Sequence, residues 1–167
     1  MTLARRAGAS ADPNMPQAVR ALAATCLITT WLVLALGAVA TGAGPHAGDP
    51  DSGRNGFDET AISQLHTAAV CVLFGATVAL VVVARTTQTT PPVRRLSTAV
   101  LVTELAQGAI GFTQYFTGLP WGLVLVHMTP AAVLTALVTV LFDHSSARDQ
   151  ARDVAADLNR PPRQKCE

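Results

Sequence analysis

A chain of 167 residues has the length of one compact domain, but half of its residues are hydrophobic and only 14% are charged. Four long stretches are almost free of charge and take up just over half the chain, which leaves no material for a separate soluble core. The formal net charge of +1 gives no electrostatic footprint for nucleic acid.

In chain order, residues 1–20 read as a small polar leader carrying Arg5, Arg6 and Arg20. The first apolar stretch is Ala21–Ala40. A helix needs ~20 apolar residues, at ~1.5 Å each, to cross the ~30 Å hydrocarbon core, and all four stretches are that long. The competing reading of the first is a cleavable signal peptide, since it follows Arg5 and Arg6 and closes on Ala38-Val39-Ala40. Such peptides have a shorter apolar core of ~7–15 residues. A turn-rich, acidic loop follows, roughly Thr41–Thr60. Its glycines, His46 and Asp49 suit either a plain surface turn or a cover over a cofactor's propionates.

The second stretch is Ala61–Ala84, and a basic loop with Arg85, Arg94 and Arg95 joins it to the third, Leu96–Phe116. A tight Thr117–Pro120 turn leads to the fourth, Trp121–Phe142, and residues 143–167 form a charged tail. None of the stretches alternates polar with apolar residues, and lipid cannot satisfy exposed backbone groups, so helices are expected rather than strands. The fold class is therefore all-α: a membrane-embedded four-helix bundle over residues 21–142. Of the 12 Lys and Arg residues, only Arg54 falls in the first or third connection. The positive-inside rule then places both termini and the middle loop in the cytoplasm of a plasma-membrane protein.

Cys26 and Cys71 fall inside spans and Cys166 in the tail, so no disulfide within the chain is expected in the outer loop. No Cys-x-x-Cys-His occurs, which excludes covalent c-type heme attachment.

Polar residues inside spans are costly and usually face the bundle interior. His66 lies five residues after Ala61 and His127 six residues after Trp121. Both spans run from outside to inside, so both imidazoles are expected ~8–9 Å below the outer surface. Two histidines at one depth on co-directional helices can offer nitrogens to opposite axial positions of a heme iron. The alternative is two histidines hydrogen-bonding across helices. Zinc is disfavoured, with no third or fourth ligand at that depth. Ala69, Val70, Leu73 and Thr77 share the face of His66; Leu123, Val124, Ala131 and Leu134 share that of His127. Pro130 frees a carbonyl one turn earlier in the fourth span. His144 reads as an ordinary interfacial residue.

The third span carries Glu104, Gln107, Gly108, Gly111, Gln114 and Tyr115 on one stripe ~120° wide. The glycines are expected to permit close packing, and the amides and phenol to bond neighbouring helices or a cofactor edge. Glu104, near mid-membrane, is either a proton relay or cofactor contact, or a carboxyl that is protonated or bonded between helices.

The stretches TGAGPHAGD (Thr41–Asp49), GFDETAISQLH (Gly56–His66) and QGAIGFTQYFTGLPWGLVLVH (Gln107–His127) resemble the carboxyl-terminal half of bacterial heme A synthases. The resemblance covers roughly residues 20–142. It implies a four-helix unit holding a b-type heme through histidines in its second and fourth helices, matching His66 and His127 as axial ligands of the heme iron. In that family an amino-terminal half carries a second histidine pair and an outer-loop glutamate implicated in oxidising heme O to heme A. No such half precedes residue 20 here, so no catalytic residue is assigned by matching. The expectation is a detached half with a separate partner, a half-size homodimer or a truncated product, embedded in membrane lipid and acting on heme O. The alternative is a non-enzymatic, cytochrome b-like electron-transfer or heme-binding subunit; a third reading is a purely structural subunit.

Overall fold

The computed structural model describes residues 15–44 and 54–146. His46, Asp49, Cys166, residues 1–14 of the leader and residues 147–167 of the tail assigned from the sequence lie outside the described residues.

Among the described residues, four helices make up the fold: α1 (Gln17–Ala43), α2 (Glu59–Thr86), α3 (Pro91–Phe116) and α4 (Trp121–Ser146). Each is long and apolar enough to cross a membrane. They begin and end where capping chemistry permits. Asp58 starts α2 by accepting from Ala61 N at 2.7 Å. Pro91 and Pro92 open α3, where the missing N–H groups have no intrahelical partner to lose. Gly118 (φ 74°) follows the last turn of α3, and Leu119 N donates to Gln114 O at 2.8 Å, as in a Schellman ending. Pro130 is accommodated within α4, which stays helical throughout.

The loop expected over Thr41–Thr60 is shorter than expected. Thr41, Gly42 and Ala43 continue α1, and Glu59 and Thr60 already belong to α2. Asn55 ties the returning chain to the end of α1, with Nδ2 donating to Val39 O at 2.8 Å and its backbone N to Gly42 O at 3.2 Å. These bonds satisfy carbonyls that the helix leaves open, and they explain why so polar a stretch stays helical.

The helices form a ring. α1 packs on α2 and α4, and α3 on α2 and α4, so α2 and α4 stand on a diagonal. Exposure is inverted relative to a water-soluble bundle, with Ile28, Val72, Val102 and Val133 all at least half exposed on the outer surface. Several threonine hydroxyls in the spans donate to the carbonyl one turn earlier, as Thr103 does to Ala99 and Thr135 to Ala131, which satisfies them within their own helix.

Buried packing is concentrated at one end. Val19, Ala23, Cys26, Leu73, Leu80, Ala84, Val93, Val100, Leu134, Val138 and Leu141 form a continuous core. That end also carries Arg20, Arg85, Arg94 and Arg95 at or near its helix termini. Toward the opposite end burial thins: in α2 it begins only at Ala69, and in α4 only at Leu134. Helices in lipid associate through van der Waals contact rather than hydrophobic transfer, so the arginine-rich half provides most of the packing that holds the bundle.

Candidate functional site

The thinly packed half is where both span histidines lie. His66 is seven residues after Glu59, and His127 six residues after Trp121, so at ~1.5 Å per residue they share a level near ~10 Å from the helix starts.

Each ring rests on the helix preceding its own in the chain. His66 Nδ1 is 3.1 Å from the carbonyl oxygen of Val33 on α1. A carbonyl only accepts, so the proton belongs on Nδ1 and the free lone pair falls to Nε2. One turn further along α1, Gly37 abuts the ring: a Cβ there would lie 3.1 Å from His66 Cε1. A Cβ there is tighter than ordinary contact, so the ring would have to give way by a few tenths of an ångström. On the other side Gly111 of α3 faces His127, where a Cβ would lie 3.5 Å from Cε1. His66 therefore belongs to the α1–α2 wall and His127 to the α3–α4 wall.

His127 differs from His66 in one respect. Its Nδ1 is buried and has no hydrogen-bond partner, as is Gln107 Oε1 on α3. Buried polar atoms without partners are uncommon and each needs a physical reason.

Nearer the arginine-rich end a polar layer joins three helices. Thr77 Oγ1 donates to Glu104 Oε1 at 2.7 Å, and Cys26 Sγ lies 3.6 Å from the same hydroxyl. Thr77 has one hydroxyl hydrogen and gives it to Glu104, so the thiol is the donor toward Thr77. Glu104 is 8% exposed, and its Oε2 is buried without a partner. Of the two sequence readings of Glu104, the structure displays the carboxyl bonded between helices.

The stripe on α3 is only partly interior. Glu104 and Gln114 are buried, and Gly111 makes the close approach described above. Gly108 does not: a Cβ there would meet nothing within 4 Å, so the packing expected of it is absent. Tyr115 is 66% exposed and sits edge-on to Phe116 at 5.5 Å, not against a neighbouring helix. Its place at the edge of the stripe and near the helix end lets the phenol reach the membrane interface, which outweighs interior bonding. Cys71 is exposed on the bundle surface, whereas Cys26 is buried. His144 lies in the last turn of α4, far along the helix from His127.

Three participants had no sequence signature strong enough to single them out. The Val33 acceptor is a backbone atom, visible only once the helices are docked. Asn55 acts through a loop contact. Gly37 did leave a trace, as a lone glycine in an apolar run where small residues mark close helix approach.

Chemically, two imidazoles at one level, one on the α1–α2 wall and one on the α3–α4 wall, could each offer a nitrogen to a metal macrocycle. Among the described residues no three His, Cys, Asp or Glu side chains gather into a metal-ion site, and a macrocycle needs only two protein ligands. The residues present fit such a group. The Nδ1–H of His66 is fixed, glycines stand beside both rings, and in α2 and α4 the buried residues begin only beyond the histidine level. The chain matches no protein-family model, no curated protein and no solved structure.

Proposed function

We propose that this four-span membrane protein binds one b-type heme through His66 and His127, and serves as the heme-binding half of a heme A synthase. The single observation that carries the heme assignment is the placing of the two imidazoles at one level on opposite walls of the bundle. The motif resemblance of Thr41–Asp49, Gly56–His66 and Gln107–His127 supports the further step, oxidation of the heme O methyl group.

The bound group supplies reversible one-electron chemistry at its iron. The chain's residues do the rest. Val33 O holds the His66 tautomer and orientation, which keeps Nε2 available as a ligand. Gly37 and Gly111 let α1 and α3 approach the rings closely enough to restrict their rotation. Apolar neighbours such as Leu73 and Leu134 keep water from the lower side of the site. A protein tunes a cofactor by these means, through ligand identity, second hydrogen bonds and exclusion of solvent.

The test is spectroscopic. Purified full-length protein in mild detergent is expected to show a low-spin b-type spectrum with about one heme per chain, from the single histidine pair. His66→Ala and His127→Ala should each abolish or convert it, and His144→Ala should leave it intact. Retention of the wild-type spectrum by both alanine variants would show the ligand assignment to be wrong. Conversion of heme O, assayed in a host that makes it and with a candidate amino-terminal half co-expressed, separates the synthase reading from an electron-transfer subunit. Bound heme without conversion favours the latter.

A further inference from the structure

We infer that Gln107 is the positioning residue for His127, its side-chain carbonyl accepting from the Nδ1–H of that ring. The inference rests on the heme-ligand reading above and deepens it at one residue.

The argument begins with two atoms that lack what the other has. A histidine that ligates through Nε2 while neutral carries its proton on Nδ1, and that proton requires an acceptor. His127 Nδ1 is buried with no partner. Gln107 Oε1 is a carbonyl acceptor, also buried with no partner, on the helix packed against α4. Gln107 is four residues before Gly111, where a Cβ would lie 3.5 Å from His127 Cε1, the carbon between the two ring nitrogens. Residues four apart share a helix face, so the amide and the glycine lie on the same face of α3. The other buried acceptor without a partner on this helix is Glu104 Oε2. It is two turns from Gly111, on a carboxyl already engaged by Thr77.

The opposite wall shows the completed arrangement. There the acceptor, Val33 O, and the glycine beside the ring, Gly37, are also four residues apart on the neighbouring helix. α1 serves His66 with a backbone carbonyl and a glycine; α3 offers His127 a side-chain carbonyl and a glycine at the same interval. The two atoms on α3 and α4 are not bonded in the structure. The inference requires the Gln107 side chain to turn toward the ring when the site is loaded. Ligation at Nε2 supplies the reason to close it, because it commits the proton to Nδ1.

A hydrogen bond at Nδ1 strengthens the imidazole as a donor and stabilises the ferric state. The experiment uses the full chain reconstituted with hemin, comparing wild type, Gln107→Leu and Gln107→Glu. Gln107→Leu should weaken heme binding roughly tenfold or more and raise the midpoint potential. Gln107→Glu, a stronger acceptor, should retain heme and lower the potential. The near-infrared charge-transfer band of the ferric low-spin heme reports the donor strength of the axial imidazole. It should move in opposite directions in the two variants, which a loss of packing alone would not produce. Wild-type affinity, potential and band position in Gln107→Leu overturn the role of Gln107 while leaving the two ligands standing. Absence of heme from wild type overturns both.

Discussion

At the scale of single residues, the two histidine-facing glycines differ in how much room they leave. A Cβ on residue 37 would sit 3.1 Å from His66 Cε1, tighter than ordinary contact, whereas one on residue 111 would sit at 3.5 Å from His127 Cε1, which is ordinary contact. The expected order of damage follows. Gly37→Val should displace the imidazole from Val33 O and lower heme occupancy by about tenfold or more, the usual scale for losing a ligand's supporting contact. Gly111→Ala should be mild. Gly108→Ala meets open space and should be neutral to slightly stabilising, since glycine inside a helix costs ~1 kcal/mol relative to alanine. Heme-to-protein ratios of the three purified variants check the order. Equal occupancy in Gly37→Val and Gly108→Ala would remove the steric argument.

At the scale of elements, the layer Cys26–Thr77–Glu104 is what couples α1, α2 and α3 beneath the histidines. Interhelical hydrogen bonds in lipid average about 0.6 kcal/mol and reach about 1.7. Leaving a buried acceptor bare costs about 1–3 kcal/mol, so the larger effect of losing Thr77 is the stranded carboxyl. Thr77→Val is therefore expected to destabilise the bundle by about 1–2 kcal/mol, and adding Glu104→Leu to restore part of the loss. Reversible unfolding in mixed micelles measures both; equal destabilisation from the single and double variants would show the bond to be incidental. The element boundaries show where sequence reasoning reached its limit. Each span was legible from hydropathy, yet α1 begins at Gln17 rather than Ala21 and runs on through Thr41–Ala43, while α4 extends past Phe142 to Ser146. Hydropathy reports the apolar interval, whereas a helix stops only where caps and carbonyl partners allow. The two histidines were legible because their spacing from the span starts fixes a common depth. Which wall each ring leans on was not, since that depends on Val33 O and Gly37 after docking. The α3 stripe misjudged Tyr115 for a related reason. Angular position selects a face, but near a membrane boundary a phenol can turn outward to the interface.

At the scale of the whole molecule, the bundle is polarised, and that polarity predicts its orientation. Packing and arginines gather at one end, with Arg20, Arg85, Arg94 and Arg95 at or near the helix termini there. The histidine level lies toward the other end, whose connections contain Arg54 as the one basic residue of the 12 Lys and Arg in the sequence. Charged residues at a helix centre cost about 2.5–3.5 kcal/mol to insert, and short loops rich in Lys and Arg are retained in the cytoplasm. The arginine-rich end is thus expected to face the cytoplasm and the histidine level to lie nearer the outer surface. Reporter fusions after Arg95 and Arg148 should give cytoplasmic signals, and a fusion at Asp51 an outer signal. Replacing Arg94 and Arg95 by Ala should blur the assignment of the middle loop, because that loop would keep only Arg85. The orientation has a functional corollary that the same fusions decide. If the histidine level faces outward, a heme held as proposed would exchange electrons with acceptors on that side, and Glu104 would lie on its cytoplasmic side. A cytoplasmic signal from the Asp51 fusion would reverse both statements, and the heme would then have to be served from within the cell.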